Sequence, residues 1–187
     1  MRADALIHFP TKAAVFMSHP IALGAATFAV ALVAMTTASQ AQSVRLLGDF
    51  SDWSSYAATE STGEVCFALT KPESVEPSPE GYTQGYLYVT HRTGDDVRNE
   101  VNLVAGFDFA PESTATISVG GASYTLFTQA DAAWLDDPAQ SDALTSSIRA
   151  GSSLVFEGTT SGGIRVAQTF SLSGATASAE AINDECE

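Results

Sequence analysis

Short segments that alternate apolar and polar residues, separated by glycine-rich and aspartate-rich turns, occupy most of the chain between residues 46 and 170. Tyr86–Arg92 is the strongest of them, because β-branched and aromatic residues recur in it with a period of two. Gly120-Gly121 separates Thr114–Val119 from Ala122–Thr128 and predicts a two-residue hairpin, since both glycines can adopt φ > 0. Strands at such short spacing, without strand–helix repeats, predict an all-β fold, either a β-sandwich or a partly open antiparallel barrel.

The other predicted elements follow from the same reading. The further predicted strands are Leu46–Phe50, Trp53–Ala57, Val65–Thr70, Val97–Phe107, Ser153–Thr159 and Ile164–Phe170, the last two joined in a hairpin by residues 160–163. Lys71–Gly85 contains three prolines and two glycines and predicts a loop. We expect two short helices, Asp142–Ala150 with Ser141 as N-cap, and a C-terminal helix at Ala175–Cys186.

The N-terminus has the pattern of an export signal. The uncharged apolar run Ile21–Met35 precedes Ser39-Gln40-Ala41, which predicts a cleaved signal peptide over residues 1–41 and a mature chain of residues 42–187 that forms a single β-sandwich domain. The run is shorter than the roughly 20 apolar residues of a membrane-spanning helix, so we expect no transmembrane anchor in the mature chain. The predicted location is the periplasm, with secretion or attachment to the outer surface as alternatives.

The true start of the leader is open. A 41-residue leader is longer than the usual length of about 15–30 residues. Translation from Met17 would shorten it to residues 17–41, but that version lacks a basic residue before the apolar run, whereas the longer leader contains Arg2 and Lys12. Both Met1 and Met17 therefore remain candidates.

Charge and cysteine count limit the class of partner and the compartment. Residues 42–187 have 6 basic and 21 acidic side chains, a formal charge of −15, which opposes binding to nucleic acid or to anionic lipid. Cys66 and Cys186 are the two cysteines of the chain, and in an oxidising compartment we expect them to form a disulfide. A zinc site is the alternative, but it needs about four nitrogen or sulfur ligands, and the mature chain adds only His91.

The motifs of common catalytic sites are missing from the sequence. His91 is the only histidine of the mature chain, so it is the only candidate base beside a serine, and no G-x-S-x-G segment accompanies it. The sequence also lacks a G-x-x-x-x-G-K-[ST] phosphate loop and a D-x-D-x-D-G calcium loop. We therefore expect no enzyme activity, no cofactor and no metal, and we expect His91 to be a surface or capping residue.

One segment concentrates the rare basic residues of the mature chain. The candidate recognition patch comprises His91, Arg92, Arg98, Glu100, Tyr82, Tyr86 and Tyr88. In the functional interpretation, Arg92 and Arg98 bind an anionic group of a partner, and the tyrosines stack on it. In the structural interpretation, the charged residues form surface ion pairs and the tyrosines pack within the sheet. Both interpretations are open at this point.

Several stretches together resemble a known family. They are Tyr86–Arg92 (YLYVTHR), Val97–Val101 (VRNEV), Gly106–Phe109 (GFDF), Asp52-Trp53, Cys66–Ala68, Phe127 with Trp134, Ile148–Ser152, Phe170–Gly174 and the terminal Cys186. With these residues the chain resembles the invasion-associated locus B family of exported proteins from Gram-negative bacteria. The chain departs from the family pattern in two places, because residues 56–58 contain no cysteine and Ala175 opens the C-terminal helix in place of a larger apolar residue.

The resemblance implies an all-β exported protein, some relatives of which are associated with host-cell invasion and stress. It supplies no catalytic residues. We therefore expect a non-enzymatic envelope or surface protein that acts through contacts with a protein or envelope component, in host-cell interaction or stress tolerance. The alternative is a periplasmic module of the β-sandwich type that binds a small ligand or a glycan.

Overall fold

The computed structural model describes residues 43–187, so the predicted leader lies outside the described residues. Within this part of the chain the strands are β1 Val44–Phe50, β2 Trp53–Thr59, β3 Glu64–Thr70, β4 Pro72–Glu76, β5 Tyr86–Arg92, β6 Val97–Val104, β7 Thr114–Val119, β8 Ala122–Gln129, β9 Ala132–Leu135, β10 Ser153–Thr159 and β11 Arg165–Ser171. The helices are α1 Ser141–Ala150 and α2 Ala175–Glu185.

The strands form one antiparallel sheet that curls into a half-barrel. Their order across the sheet is β1-β2-β3-β5-β6-β9-β8-β7-β10-β11-β4. Lys71 alone separates β3 from β4, yet β4 pairs with β11 at the far end of the order, so the sheet must bend back on itself. The indole Nε1 of Trp53 in β2 donates to the carbonyl of Ser171 in β11 at 3.0 Å and ties the two ends together. The predicted all-β fold is thus confirmed in its partly open barrel form.

The core lies on the concave face and is closed by the two helices. Alternate residues point inward along each strand, such as Leu87 and Val89 in β5 and Val101 and Leu103 in β6, and all four are buried. Each fully buried side chain of this kind contributes roughly 1.5–3 kcal/mol relative to exposure. Ile182 of α2, like Leu144 and Ile148 of α1, is buried in the same cluster. The outward residues between them are therefore free to form a functional surface.

The glycine hairpin forms as predicted. Val119 and Ala122 are paired across it, and Gly120 and Gly121 have φ of 59° and 83°. Positive φ at both central residues is the geometry that matches the twist of the two strands. The second predicted hairpin also forms, with Thr159 paired with Arg165.

Three predicted elements differ from the structure. The predicted loop Lys71–Gly85 contains strand β4, which pairs only with β11 and so tolerates a proline at its first position. The predicted strand Val97–Phe107 ends at Val104, and Gly106 has φ of 78°. Ser141 is the first residue of α1 and does not act as its N-cap, because a 3₁₀ turn capped by the side chain of Asp137 leads directly into the helix.

Candidate functional site

A bulge in β6 organises the candidate recognition patch. Thr90 pairs with Glu100 and Arg92 pairs with Val97, so His91 alone lies opposite the two residues Arg98 and Asn99. Asn99 has φ of 57°, a conformation that asparagine tolerates better than most residues. A bulge of this kind redirects side chains and sharpens the local twist of the strand. It separates the residues of the patch into two environments.

His91 belongs to the interior. It is 1% exposed, so the expectation of a surface histidine is wrong. Its Nδ1 accepts a hydrogen bond from the backbone N–H of Asn99 at 3.0 Å, so the ring proton resides on Nε2, which donates to Oδ1 of Asn183 at 2.7 Å. Both ring nitrogens are therefore occupied by amide groups, and neither is bonded to a serine hydroxyl or a carboxylate.

Burial sets the protonation state of His91. Desolvation lowers its pKa below the ordinary value, and the hydrogen bond with Asn183 opposes that shift without cancelling it. The nearby guanidinium of Arg98 lowers the pKa further. The imidazole is thus neutral near pH 7, in agreement with a ring nitrogen that accepts a hydrogen bond.

The outward side chains of β5 form part of an aromatic face. Tyr88 and Tyr86 have ring centroids 6.0 Å apart, and Phe67 of β3 connects Tyr88, at 6.2 Å, to Tyr56 of β2, at 5.3 Å. These rings are half-buried and pack against each other across the strands. Burial raises the pKa of Tyr88, and like-charge repulsion with the neighbouring Tyr86 adds to the shift, so the Tyr88 phenol stays protonated near pH 7. Packing of these two tyrosines in the sheet is confirmed, although both side chains are only half-buried.

The other members of the patch lie in three different places. Arg92 forms an ion pair with Glu100 at 3.4 Å, as the structural interpretation expected for the charged residues. Arg98 is exposed and has no ion pair among residues 43–187. Tyr82 lies in the loop before β5, where its hydroxyl accepts a hydrogen bond from the backbone N–H of Gly85 at 3.1 Å. Tyr82 and His91 therefore support the fold, and the remaining residues of the patch are on or near the surface.

A groove lies where the pairing of β6 with β9 ends. The two strands pair through Asn102–Val104 and Ala132–Trp134, but β6 has no β9 partner over Val97–Val101. The resulting groove has a volume of about 460 Å³. The side chains that line it include Asp96, Val97, Arg98, Glu100, Phe127, Trp134 and Pro138. We call this site the β6–β9 groove.

The wall of the β6–β9 groove is a stacked aromatic pair. Phe127 is 44% exposed, and its ring lies 5.5 Å from that of Trp134 with an interplanar angle of 18°. The two residues are cross-strand partners in β8 and β9, on the opposite face from the buried Leu126 and Leu135. An exposed aromatic face beside a guanidinium can stack on an apolar or planar group and bind a carboxylate next to it.

Sequence reasoning found Arg98 because basic residues are scarce in this chain, and it included Glu100 as a neighbour in the same segment. It did not assign Phe127 and Trp134 to any site. The signal that could have identified them is the outward register of two large aromatic residues on neighbouring strands.

The positive charges that lack a partner both lie beside aromatic rings. Arg45, Arg92, Arg149 and Arg165 form ion pairs with glutamates. The remaining two cations of residues 43–187 are Arg98, in the β6–β9 groove, and Lys71, whose Nζ is 6.0 Å from the centroid of the Tyr86 ring. Arg98 shares its groove with the carboxylates of Asp96 and Glu100, of which Glu100 is paired with Arg92.

The predicted disulfide is present. Cys66 and Cys186 are bonded, so both thiols that the zinc alternative needs are occupied. Cys66 is the cross-strand partner of His91, which means that the disulfide and the His91–Asn183 hydrogen bond attach α2 at neighbouring points of β3 and β5. Among residues 43–187, no group of three or more His, Cys, Asp or Glu side chains is arranged to hold a metal ion. No helix of this part of the chain has the length and apolarity to cross a membrane.

One comparison with known proteins found a match. The family model described as Invasion associated locus B (IalB) protein matches residues 53–183, from the start of β2 into the last turn of α2. No curated protein matches the chain, and no solved structure does. The match includes the β6 bulge and the groove residues Phe127 and Trp134. Because it covers more than half of the sequence, the chain belongs to the invasion-associated locus B family.

Proposed function

We propose that this protein is exported to the periplasm or the cell surface and acts there, without catalysis, by binding another protein through the β6–β9 groove. The observation that carries the proposal is the stacked pair of the exposed Phe127 and the half-buried Trp134, which lines the same groove as the unpaired guanidinium of Arg98. Tryptophan, tyrosine and arginine are the residues that most often dominate the energy of protein interfaces. The aromatic face of β2, β3 and β5 adds tyrosines to the same side of the sheet.

Export is supported by the predicted leader and by the disulfide, since disulfides persist in oxidising compartments. The high acidity of residues 42–187 suits a protein that stays soluble in the envelope. We propose stress tolerance or host-cell interaction as the setting, as the family resemblance implies.

The absence of catalysis is supported by the environment of His91. A general base needs an accessible ring nitrogen, and both nitrogens of His91 are occupied by the amide groups of Asn99 and Asn183. Turnover of an ester, peptide or glycoside by the purified protein that disappears in the His91→Ala variant would contradict this part of the proposal.

The test uses the mature, oxidised protein to capture a partner from an envelope extract. The Kd for the purified partner is then measured. The groove variant is Arg98→Ala/Phe127→Ala. The matched control is Ile164→Ala/Arg165→Ala, which also removes one exposed apolar and one exposed arginine side chain, but at the β10–β11 hairpin. We expect the groove variant to raise Kd at least about tenfold, the equivalent of 1.4 kcal/mol, and the control to leave it unchanged. A partner that binds both variants equally well would exclude the groove.

A glycan is the second candidate occupant, favoured by the combination of a stacked aromatic face with the carboxylate of Glu100. The chain has two tryptophans, and Trp53 is buried and hydrogen-bonded to the carbonyl of Ser171. A change in tryptophan fluorescence on titration with oligosaccharides would therefore report on Trp134. Saturable quenching by a sugar, lost in Phe127→Ala, would favour the glycan over the protein partner.

A further inference from the structure

His91 connects the β6–β9 groove to both helices through hydrogen bonds. Its Nδ1 accepts from the backbone N–H of Asn99 at 3.0 Å, and the side-chain Nδ2 of Asn99 donates to Oδ1 of Asp142 in α1 at 2.7 Å. Its Nε2 donates to Oδ1 of Asn183 in α2 at 2.7 Å. A single buried ring therefore ties together the β6 bulge, α1 and α2.

The residues next to these hydrogen bonds line the groove. Arg98 and Glu100 flank Asn99 in β6, and both are lining residues, as is Ser141 at the start of α1. The conformation of Asn99, with φ of 57°, decides where its two neighbours point, because a bulge redirects the side chains around it. The shape of the groove thus depends on a backbone conformation that His91 holds in place.

Only the neutral form of His91 accepts the hydrogen bond from Asn99. A protonated imidazole has an N–H at both ring nitrogens and no acceptor, so two N–H donors would face each other at 3.0 Å. A left-handed conformation of a residue other than glycine is strained and persists only where its surroundings hold it. Protonation therefore removes the contact that holds Asn99 and puts a repulsive contact in its place.

The charged groups around His91 do not compensate a proton on the ring. Besides Arg98, the charged side chains on the surrounding elements are Glu64 of β3, Arg92 of β5, Asp95 and Asp96 of the β5–β6 turn, Glu100 of β6, Asp142 and Arg149 of α1, and Glu180, Asp184 and Glu185 of α2. No carboxylate of residues 43–187 is hydrogen-bonded to the ring, whose nitrogens are both occupied by amides. Burial is the main cause of the lowered pKa of His91, and the guanidinium of Arg98 lowers it further. The protonated ring is therefore unstable in the folded arrangement.

We propose that His91 is a proton-sensitive switch of the β6–β9 groove, in which the neutral ring holds the bulge in its binding conformation and the protonated ring releases it. Acidification therefore weakens binding of the protein partner. Binding in turn opposes protonation of His91, because the coupling between the two events is reciprocal. The effect on binding rests on the proposed function, whereas the change in the bulge needs no partner.

The first test is an NMR titration of the mature, oxidised protein from pH 7.5 to pH 4.5. The ring signals of His91 report its own protonation, since it is the only histidine of residues 42–187. The amide signals of Arg98 and Asn99 and the indole N–H of Trp134 report on the bulge and the groove. We expect these signals to change with the same midpoint as the ring. Groove signals that do not respond at that midpoint would overturn the proposal, as would a ring that stays neutral until circular dichroism shows unfolding.

Two variants separate the switch from a general effect of pH. Asn183→Asp places a carboxylate beside Nε2 and raises the pKa of His91, so the midpoints of the ring and of the groove should rise together. Ala177→Asp is the matched control, because it adds the same charge on the exposed side of α2 and should leave both midpoints in place. His91→Gln does not titrate and should remove this midpoint from the groove signals. A ring midpoint that moves in Asn183→Asp without the groove midpoint would contradict the coupling.

The second test measures Kd for the captured partner at pH 7.5 and at one pH unit below the midpoint of His91. We expect Kd to rise at least about tenfold for the wild type and less than about twofold for His91→Gln, so the comparison excludes titration of the partner itself. Equal changes in the two proteins, for a partner whose binding needs Arg98 and Phe127, would overturn the switch. A partner that does not need the groove would instead overturn the proposed function and the effect on binding with it, whereas the NMR midpoints decide separately whether the bulge responds to His91.

Discussion

His91 stabilises the fold only while it is neutral, because its Nδ1 accepts a hydrogen bond from the backbone of Asn99. The folded pKa lies below the value of about 6.5 in an unfolded chain, so below pH 6.5 the unfolded state binds more protons. The contribution of His91 to the free energy of unfolding should therefore be largest above pH 6.5 and fall as the pH drops toward 5. His91→Gln should cost about 1–3 kcal/mol at pH 7 through unsatisfied buried groups, and this cost should shrink on acidification.

Urea unfolding of the mature protein at pH 7.0, 6.0 and 5.5 measures this effect. His91 is the only histidine in residues 42–187, so the difference between wild type and His91→Gln isolates its titration. A difference that stays constant over this range would mean that His91 keeps the same protonation in both states.

Gly174, which precedes α2, is a second residue whose identity the backbone dictates. It has φ of 95°, and a Cβ built there would approach the carbonyl oxygen of Phe50 far inside contact distance. Gly121 has a similar φ of 83° but no atom near the position of a Cβ, so it serves as the matched control. We expect Gly121→Ala to cost about 1–2 kcal/mol, the penalty of the left-handed conformation alone, and Gly174→Ala to cost clearly more. Equal melting temperatures for the two variants would show that the contact with Phe50 relaxes freely.

Among the elements, α2 depends most on its covalent attachment. Its buried apolar side chains are mostly small, namely Ala175, Ala179 and Ile182, so packing alone buries little area. Cys186 follows its last residue and is bonded to Cys66 across a separation of 120 residues. Cys66→Ser should lower the free energy of unfolding by roughly 2–5 kcal/mol, as loss of a native disulfide does in small secreted domains.

Thermal unfolding of the oxidised wild type and Cys66→Ser tests this dependence. Cys66→Ser/Cys186→Ser should have the same melting temperature as the single variant, because either change removes the disulfide. The melting temperature of the reduced wild type should approach that of both variants. An unchanged melting temperature in the single variant would show that noncovalent contacts suffice to hold α2.

The elements that sequence reasoning predicted are those with strong local signals. Gly120-Gly121 correctly predicted the β7–β8 hairpin, and the period-two pattern of Tyr86–Arg92 correctly predicted β5. Strand β9 was not predicted, because four residues rich in alanine give no such pattern and the strand depends on β6 and β8. Strand β4 was missed for the same reason, since its pairing with β11 joins parts of the chain that are about 90 residues apart.

The candidate site was only partly predictable for a related reason. Arg98 was identified from the sequence, because a basic residue is unusual in this acidic chain. The β6–β9 groove beside it exists only because β6 and β9 part, which no local pattern encodes. His91 is buried and hydrogen-bonded to Asn183, which is 92 residues away. Long-range packing therefore decided which members of the recognition patch are accessible.

At the scale of the whole molecule, net charge opposes folding more than ion pairs favour it. Residues 42–187 have a formal charge of −15, and compaction brings these charges together. The four ion pairs are at least partly exposed, and each is worth only about 0.2–1 kcal/mol. Salt screens both the attraction within the ion pairs and the repulsion among the carboxylates, with a Debye length near 10 Å at 0.1 M. We expect the repulsion to contribute more free energy than the attraction, because it acts over a longer range and among many carboxylates.

We therefore expect the melting temperature to rise by roughly 2–5 °C between 10 mM and 200 mM NaCl at pH 7, since about 1 kcal/mol corresponds to several degrees for a chain of this size. Choline chloride at equal ionic strength should give the same rise, because screening does not depend on the identity of the cation. A rise seen with sodium alone would indicate specific cation binding to the acidic surface. A melting temperature that falls with both salts would show that the ion pairs of Arg45, Arg92, Arg149 and Arg165 outweigh the repulsion, and the charge argument would then be wrong.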